Sequence, residues 1–584
     1  MNMRKILCLV GALALSVSSF ALSDWRHGTR EPLWPEGQIP DFQAHQVGAM
    51  TDEAKDADFL ASPQRQMPYL EWFEAPAQPN GACMILVSGG SYQVCCDVGL
   101  IKLWKETFTK LGYQTVNLVY RTPRPAGLAV YQTAWEDGQR AVRLVRSQAA
   151  TRGFDPEKIG VIGMSAGGHL VTMLATSALT PAYAKVDALD DLPCHVNVAI
   201  ANAPAYNTLG AAKGDARPQD GTTVVPTINP CFKFDAKTCP ITFQHGANDV
   251  YTPNGSTLCY RELRKRKIPT ELHLYADKGH GAFGLDRAVE FLNQIEFASK
   301  LAPEVDLMSR YASDAARGAY EKENVWPEGK MPDVRTNQCT PYLEWHLPKE
   351  LKTKAIQVVY SGGAYVGNAP DGFEVAPMRR YLNEKGMAVV TMKYRTPRPA
   401  GLPKHQTAWE DLQRAIRIVR AKAPSKGLDP NRIGIMGSSA GGHLTLMGAT
   451  SSRMRAYAPI DALDDVPCKV QWAIAIYPAY ALTDGLDGHN TTGGNDDSAV
   501  LAPELLFDMD TPPTLFIHGD ADGYASMASV KAWEQMRRMS VQSELHTLAL
   551  RNHCFQRKAS PGTGSYTWMD RAWEFLTAKG FNGD

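Results

Sequence analysis

Residues 153–170 read GFDPEKIGVIGMSAGGHL, and residues 427–444 read GLDPNRIGIMGSSAGGHL. In both, a short β-rich run meets a glycine, any residue, a serine, an alanine and a second glycine, and a helical pattern follows. A tight strand-to-helix turn crowds its own backbone, so glycine flanks are required while the serine is thrust out at the sheet's edge. The pattern nominates Ser165, between Gly163 and Gly167, and Ser439, between Gly437 and Gly441, as nucleophiles.

Working outward, other blocks recur as well. LWPEGQIPD at 33 returns as VWPEGKMPD at 325, MPYLEW at 67 as TPYLEW at 340, and YRTPRPAGL at 120 unchanged at 394. Ser165 and Ser439 are 439 − 165 = 274 positions apart, and the offset stays at 273 or 274 from Tyr69 onward. The second half is a duplicate of the first. A chain of 584 residues also exceeds the roughly 250–300 residues at which single cores stop growing. We expect residues 1–23 to be a signal peptide, 24–305 a first domain and 306–584 a second, with the boundary after AVEFLNQIEFASKL (288–301).

Within a unit, MILVSGG (84–90), QTVNLVYR (114–121), IGVIGMS (159–165), VNVAIANAP (196–204) and ITFQHGAND (241–249) are short apolar runs separated by helical patterns. Such runs are strands covered on both faces. The expected fold class is α/β, with a mainly parallel sheet covered by helices on both faces in each unit.

A serine hydroxyl is a poor nucleophile until a base takes its proton, and that base needs a carboxylate to fix its tautomer. In this type of fold the partners follow in the order Ser, Asp, His. Asp249 ends ITFQHGAND and Asp522 ends TLFIHGDAD; Asp520 is a rival in the second copy, but its counterpart is Ala247. His280 and His553 sit just past the next strand, where a base can swing over the serine. His273 and His546 lie inside that strand and read as sheet residues. His245 and His518 read as partners of the acid's turn, and His169 and His443 as structural. The developing oxyanion needs backbone donors. Ala166 and Ala440 supply one each, and the glycine loops supply the other: Gly89, Gly90 and Ser91 in one unit, Gly362, Gly363 and Ala364 in the other.

These residues resemble the esterase/lipase branch of the α/β-hydrolase family, and within it bacterial acetyl xylan esterases and other polysaccharide esterases. The likeness spans nearly all of both units: W-P-x-G, the glycine loop, Y-R after the next strand, S-A-G-G-H-L, then the late Asp and His. It departs in the loop, where S-G-G-S and S-G-G-A stand for the histidine and last glycine of HGGG. The resemblance implies a serine esterase with two triads and no cofactor, acting on acetyl or feruloyl groups of plant polysaccharide such as xylan. A peptidase of the same fold, a small-ester carboxylesterase, and one active unit beside a silent binding or packing unit are the alternatives.

The 61 basic and 61 acidic side chains balance, which gives no field to draw nucleic acid or an anionic membrane. Arg4 and Lys5, the apolar run Ile6–Val17 and small residues to Ser23 read as a secretory signal. The run is shorter than the roughly 20 residues that span a bilayer, so a periplasmic or secreted protein without a membrane span is expected. Export would favour disulfides, and Cys231–Cys239 is the pair to expect; Cys194 and Cys468 read equally as buried thiols. Arg121 with Asp137, and Arg395 with Asp411, are expected to be structural ion pairs. DALDD (187–191, 461–465) reads as a solvated turn in preference to a cation site. No H-E-x-x-H or paired C-x-x-C supports a zinc mechanism. The copies diverge most over residues 207–238 and 481–511, long loops expected to shape each pocket.

Overall fold

The computed structural model describes residues 28–55, 67–209, 227–309, 320–483 and 500–583; the segment expected to be a signal peptide and parts of both divergent loops lie outside them. The apolar runs are strands. In the first unit these are β1 (Thr29–Pro32), β2 (Tyr69–Trp72), β3 (Cys83–Val87), β4 (Gln114–Val119), β5 (Ile159–Met164), β6 (Val198–Asn202), β7 (Ile241–Gly246) and β8 (Thr270–Tyr275). After the short β9 (Val305–Asp306), the second unit repeats them as β10 (Glu321–Asn324), β11 (Tyr342–His346), β12 (Ile356–Tyr360), β13 (Ala388–Lys393), β14 (Ile433–Ser438), β15 (Trp472–Ile476), β16 (Thr514–Gly519) and β17 (Glu544–Leu548); β18 (Lys558–Ala559) pairs back on β9. In each unit the two pairs at the outer edge, β1–β2 and β2–β4 in the first, are antiparallel and the remaining pairs run parallel, in the order β1-β2-β4-β3-β5-β6-β7-β8 and its counterpart. Every residue of β3, β6, β7, β12, β15 and β16 is buried, as strands covered by helices on both faces must be.

The two half-sheets are not separate. The order continues from β8 directly to β17, giving one 16-stranded sheet whose two halves meet antiparallel, with His273 opposite His546 and Leu274 opposite Leu545. His273 and His546 are repeat equivalents, so a pseudo-twofold axis passes between them and each unit covers the other's exposed strand edge. The junction is fastened by ion pairs: Arg261 to Glu534 at 2.7 Å, Arg264 to Asp520 at 2.5 Å, and Arg571 to Glu290. The duplication gave no hint of this, because an edge-to-edge contact leaves the pattern of each unit unchanged.

The repeated W-P-x-G and Y-R blocks have one explanation. Asp137, on the helix Gln132–Ser147, receives the Trp34 indole N–H at 2.8 Å, the Arg121 backbone N–H at 2.8 Å and the Arg121 Nε at 3.0 Å, while Glu136 takes the other end of the guanidinium at 2.8 Å. Asp411 repeats this with Trp326 and Arg395. The expected ion pairs are present and fully buried.

Two expectations need correction. Cys231 and Cys239 are buried free thiols, as are Cys194 and Cys468; Cys231 turns its sulfur towards His169 Nε2, 3.5 Å away. The DALDD acids do not merely face solvent: Asp187 caps a short turn by accepting the Leu189 N–H and pairs with Arg140 at 2.6 Å, and Asp190 pairs with the same arginine at 3.0 Å. Asp461, Asp464 and Arg414 repeat the arrangement. Among the described residues no helix is long and apolar enough to cross a membrane.

Candidate active site

Ser165 and Ser439 each stand between a strand end and a helix, at φ 56° with ψ −118° and −120°. Side chains avoid this left-handed geometry, and the flanking glycines show why the turn is affordable only here. A Cβ on Gly163 would lie 2.4 Å from the Gly167 carbonyl oxygen, and one on Gly437 at the same distance from that of Gly441.

The structure brings each candidate acid together with its candidate histidine. His280 Nδ1 is 2.9 Å from Asp249 Oδ2, and His553 Nδ1 is 2.7 Å from Asp522 Oδ2. In the second unit the relay reaches the serine, with His553 Nε2 2.8 Å from Ser439 Oγ. In the first, Ser165 and His280 share no hydrogen bond, and Tyr251 packs against the His280 ring at 4.9 Å. Asp520, the rival acid, is instead taken by Arg264 and by the Tyr260 hydroxyl at 2.9 Å, both from the other unit.

Each acid has a second histidine. His245 Nε2 lies 3.1 Å from Asp249 and His518 Nε2 3.4 Å from Asp522, each also 2.7 Å from a backbone carbonyl. Burial pushes both carboxyls up, but hydrogen bonds from the two histidines outweigh it and hold each below its ordinary value. Both carboxyls are therefore charged at neutral pH.

The glycine loops press against the serines: a Cβ on Gly89 would sit 3.1 Å from Ser165 Cβ, and one on Gly362 2.6 Å from Ser439 Cβ. Ser91 and Ala364 take positive φ (56° and 55°), turning the loop amides, and Arg124 and Arg398 hold that turn by donating to the Ser91 and Ala364 carbonyls at 2.9 Å. These arginines belong to YRTPRPAGL, whose identity in both copies was the signal that could have found them. One expected donor is otherwise engaged: the Gly362 N–H donates to Glu374 at 2.7 Å, which leaves Gly363, Ala364 and Ala440 to face an oxyanion.

Glu374 opens a difference between the copies. It accepts from the Tyr477 hydroxyl at 3.1 Å, and Tyr477 and Ser438 both reach Gln556 Oε1. By sequence offset their counterparts in the first unit are Leu100, Ala203, Met164 and Phe283, and the carboxylate nearest the glycine loop there is Asp97. Burial raises the Glu374 carboxyl above its ordinary value. Tyr477 also packs on the base, 4.6 Å from the His553 ring. His169 is buried beneath the loop, 2.7 Å from the Tyr92 hydroxyl, and burial lowers it to about 3; it is structural, as expected.

A mainly parallel sheet with a serine at a strained strand-to-helix turn, followed by an acid and a histidine at later strand ends, defines an α/β-hydrolase with a site of the serine-hydrolase type. The chain belongs to the BD-FAE family, whose profile matches residues 73–262 and again 343–535. It is 24% identical over 259 residues to the probable carboxylic ester hydrolase LipM of Mycobacterium tuberculosis, covering 41% of this chain and 56% of that one. It is 34% identical over 112 residues to an acetylxylan esterase of Xylanibacter ruminicola, covering 18% and 21%. The matched stretch thus spans about half of LipM and a fifth of the acetylxylan esterase. An acetyl ester-xyloside bifunctional hydrolase from Caldicellulosiruptor lactoaceticus, of known structure, aligns at 24% identity over 45% of this chain and 97% of its own, with a TM-score of 0.37.

Proposed function

We propose that the protein is a serine carboxylic-ester hydrolase with two catalytic sites, Ser165–His280–Asp249 and Ser439–His553–Asp522, that removes acetyl or feruloyl groups from plant polysaccharide such as xylan, in the periplasm or outside the cell. The observation that carries this reading is the continuous hydrogen-bond chain Asp522–His553–Ser439 beside a glycine loop with free amides. Asp522 fixes the tautomer that leaves His553 Nε2 free to take the serine proton. Ser439 Oγ then attacks the ester carbonyl, and amides of Gly363, Ala364 and Ala440 stabilise the oxygen that gains charge. As the C–O bond to the sugar breaks, the imidazolium returns the proton to the leaving hydroxyl. Water repeats the sequence on the acyl-serine and frees the acid. In the first unit His280, Ala166 and the Gly89–Ser91 loop take the same roles. The choice of an acylated polysaccharide is supported by the likeness to an acetylxylan esterase.

The test is acetate release from acetylated xylan by wild type, Ser165→Ala, Ser439→Ala and the double variant. Partial activity in each single variant and none in the double one supports two working sites. Release of acetate from a small aryl ester but none from xylan would retain the chemistry and overturn the substrate. A second reading, one working unit beside a silent one, is favoured by the missing Ser165–His280 hydrogen bond. It predicts that a fluorophosphonate modifies Ser439 alone.

A further inference from the structure

Behind the second site, and absent from the first, three potential ligands converge. His405 caps the start of the helix Gln406–Lys422, His443 lies one turn into the helix that begins after Ser439, and Glu504 stands on the return from the second unit's divergent loop. Their donor atoms all lie within 4.8 Å of one another. The repeat equivalents of His405 and Glu504 are Tyr131 and Cys231, with only the histidine, His169, retained.

The geometry is that of ligands, not of a hydrogen-bonded cluster. One Glu504 oxygen is 3.5 Å from His405 Nδ1 and 3.2 Å from His443 Nε2. Yet neither nitrogen makes a hydrogen bond, and both are buried. The carboxylate lies off the direction in which each imidazole points. Two ligands that share a tetrahedral ion at bond lengths of about 2.0–2.1 Å stand about 3.4 Å apart, each aimed at the ion and not at the other. His443 is held from its far side, since Nδ1 is 2.9 Å from the Tyr365 hydroxyl, which leaves Nε2 as the nitrogen that faces the cluster. Burial lowers both histidines, His405 to about 4, and so keeps them neutral and able to bind. The nearby Lys404 turns its ammonium onto the Tyr480 ring, 4.4 Å from the centroid. The Glu504 side chain is 21% exposed, so the cluster is not sealed from solvent.

We propose that His405, His443 and Glu504 bind one divalent transition-metal ion of the zinc class, which fastens the return of the divergent loop to the helix that carries Ser439. Imidazole and carboxylate donors suit zinc and cobalt and not calcium or magnesium, which prefer oxygen alone. The ion would be a positioning device. His443 follows Ser439 by one helical turn, and Tyr365 follows Ala364 of the oxyanion loop, so the ion braces both sides of the second site.

The full chain, stripped with a chelator and dialysed, is titrated with Zn²⁺ by calorimetry and with Co²⁺ by visible absorption. We expect one equivalent per chain, tetrahedral d–d bands with Co²⁺, and a rise in the midpoint of thermal unfolding on adding Zn²⁺. His405→Tyr, which installs the residue the first unit already accommodates, and Glu504→Gln are each expected to abolish the bands. Tyr365→Phe is expected to weaken binding about 10- to 100-fold with the stoichiometry retained. Absence of stoichiometric uptake at micromolar metal, or uptake by His405→Tyr equal to wild type, would overturn the site.

Discussion

The Nδ1 atoms of His273 and His546 stand 2.9 Å apart on the pseudo-twofold axis of the sheet junction. Their Nε2 atoms face Glu271 at 2.9 Å and Glu544 at 2.8 Å. Burial, with Arg571 nearby, keeps both rings neutral. Two neutral rings carry two protons, yet this Glu–His–His–Glu chain has three contacts, each needing one. One carboxyl must supply the third.

Burial pushes Glu271 up to about 8 and Glu544 to about 7. The folded state therefore holds protons that the unfolded carboxyls release near 4.3. Above about pH 6.5, where an unfolded imidazole no longer takes up a proton to offset them, these carboxyls make the folded chain bind more protons, so stability falls as pH rises. We expect the unfolding temperature to decline from pH 7 to pH 8.5, and the decline to be shallower in Glu271→Gln, whose amide keeps the contact without an ionisation. Equal slopes in the two proteins would refute the assignment.

Asp522→Asn keeps the shape of the acid but reverses its hydrogen-bonding demand on His553 Nδ1, so the base is held in the wrong tautomer. In a Ser165→Ala background, where only the second site reports, kcat on an aryl acetate should drop about 10⁴-fold with little change in KM. Asp520→Asn, by contrast, should leave kcat intact and weaken the junction that Arg264 holds. The steady-state constants of the two variants separate the roles.

Much of this site was legible in the sequence for a physical reason: the elbow glycines, the serine and the late acid and histidine are demanded by local backbone crowding and by chain order. What was not legible depends on distance in space. Arg124 and Arg398 brace the oxyanion loops from another segment. Asp520 is excluded as the acid by residues of the other unit. Glu374 stands at the position of Leu100, and only the fold brings it beside Gly362. The disulfide expected between Cys231 and Cys239 failed because export and proximity in sequence say nothing of where two thiols point.

Glu374 gives the second site a test of its own. Glu374→Leu, which restores the first unit's residue, removes the acceptor of the Gly362 N–H and leaves Tyr477 with Gln556 alone. A buried donor without a partner costs about 1–3 kcal/mol, and the loop next to Ser439 is the structure that relaxes. We expect activity in the Ser165→Ala background to fall while activity in the Ser439→Ala background is unchanged. A drop in both backgrounds would mean the change acts on the whole fold.

Asp137 anchors the first unit from beneath. Its two oxygens collect the Trp34 indole, the Arg121 amide and the Arg121 guanidinium, with neither Arg121 nor Asp137 open to solvent. Asp137→Ala leaves Arg121 with only Glu136 as a carboxylate, and Glu136 is itself pushed up to about 8 by burial. Breaking a buried pair from one side costs about 3–5 kcal/mol, whereas replacing both partners by apolar residues of similar volume is often neutral. The denaturation midpoint should therefore fall sharply for Asp137→Ala and recover in part in Arg121→Met/Asp137→Leu. Because W-P-x-G and Y-R meet at this carboxylate, Trp34→Phe should show a smaller loss of about 1 kcal/mol, the worth of one hydrogen bond. If the double variant is no more stable than Asp137→Ala, then the cost lies in the lost hydrogen bonds to Trp34 and the backbone, and not in the stranded charge.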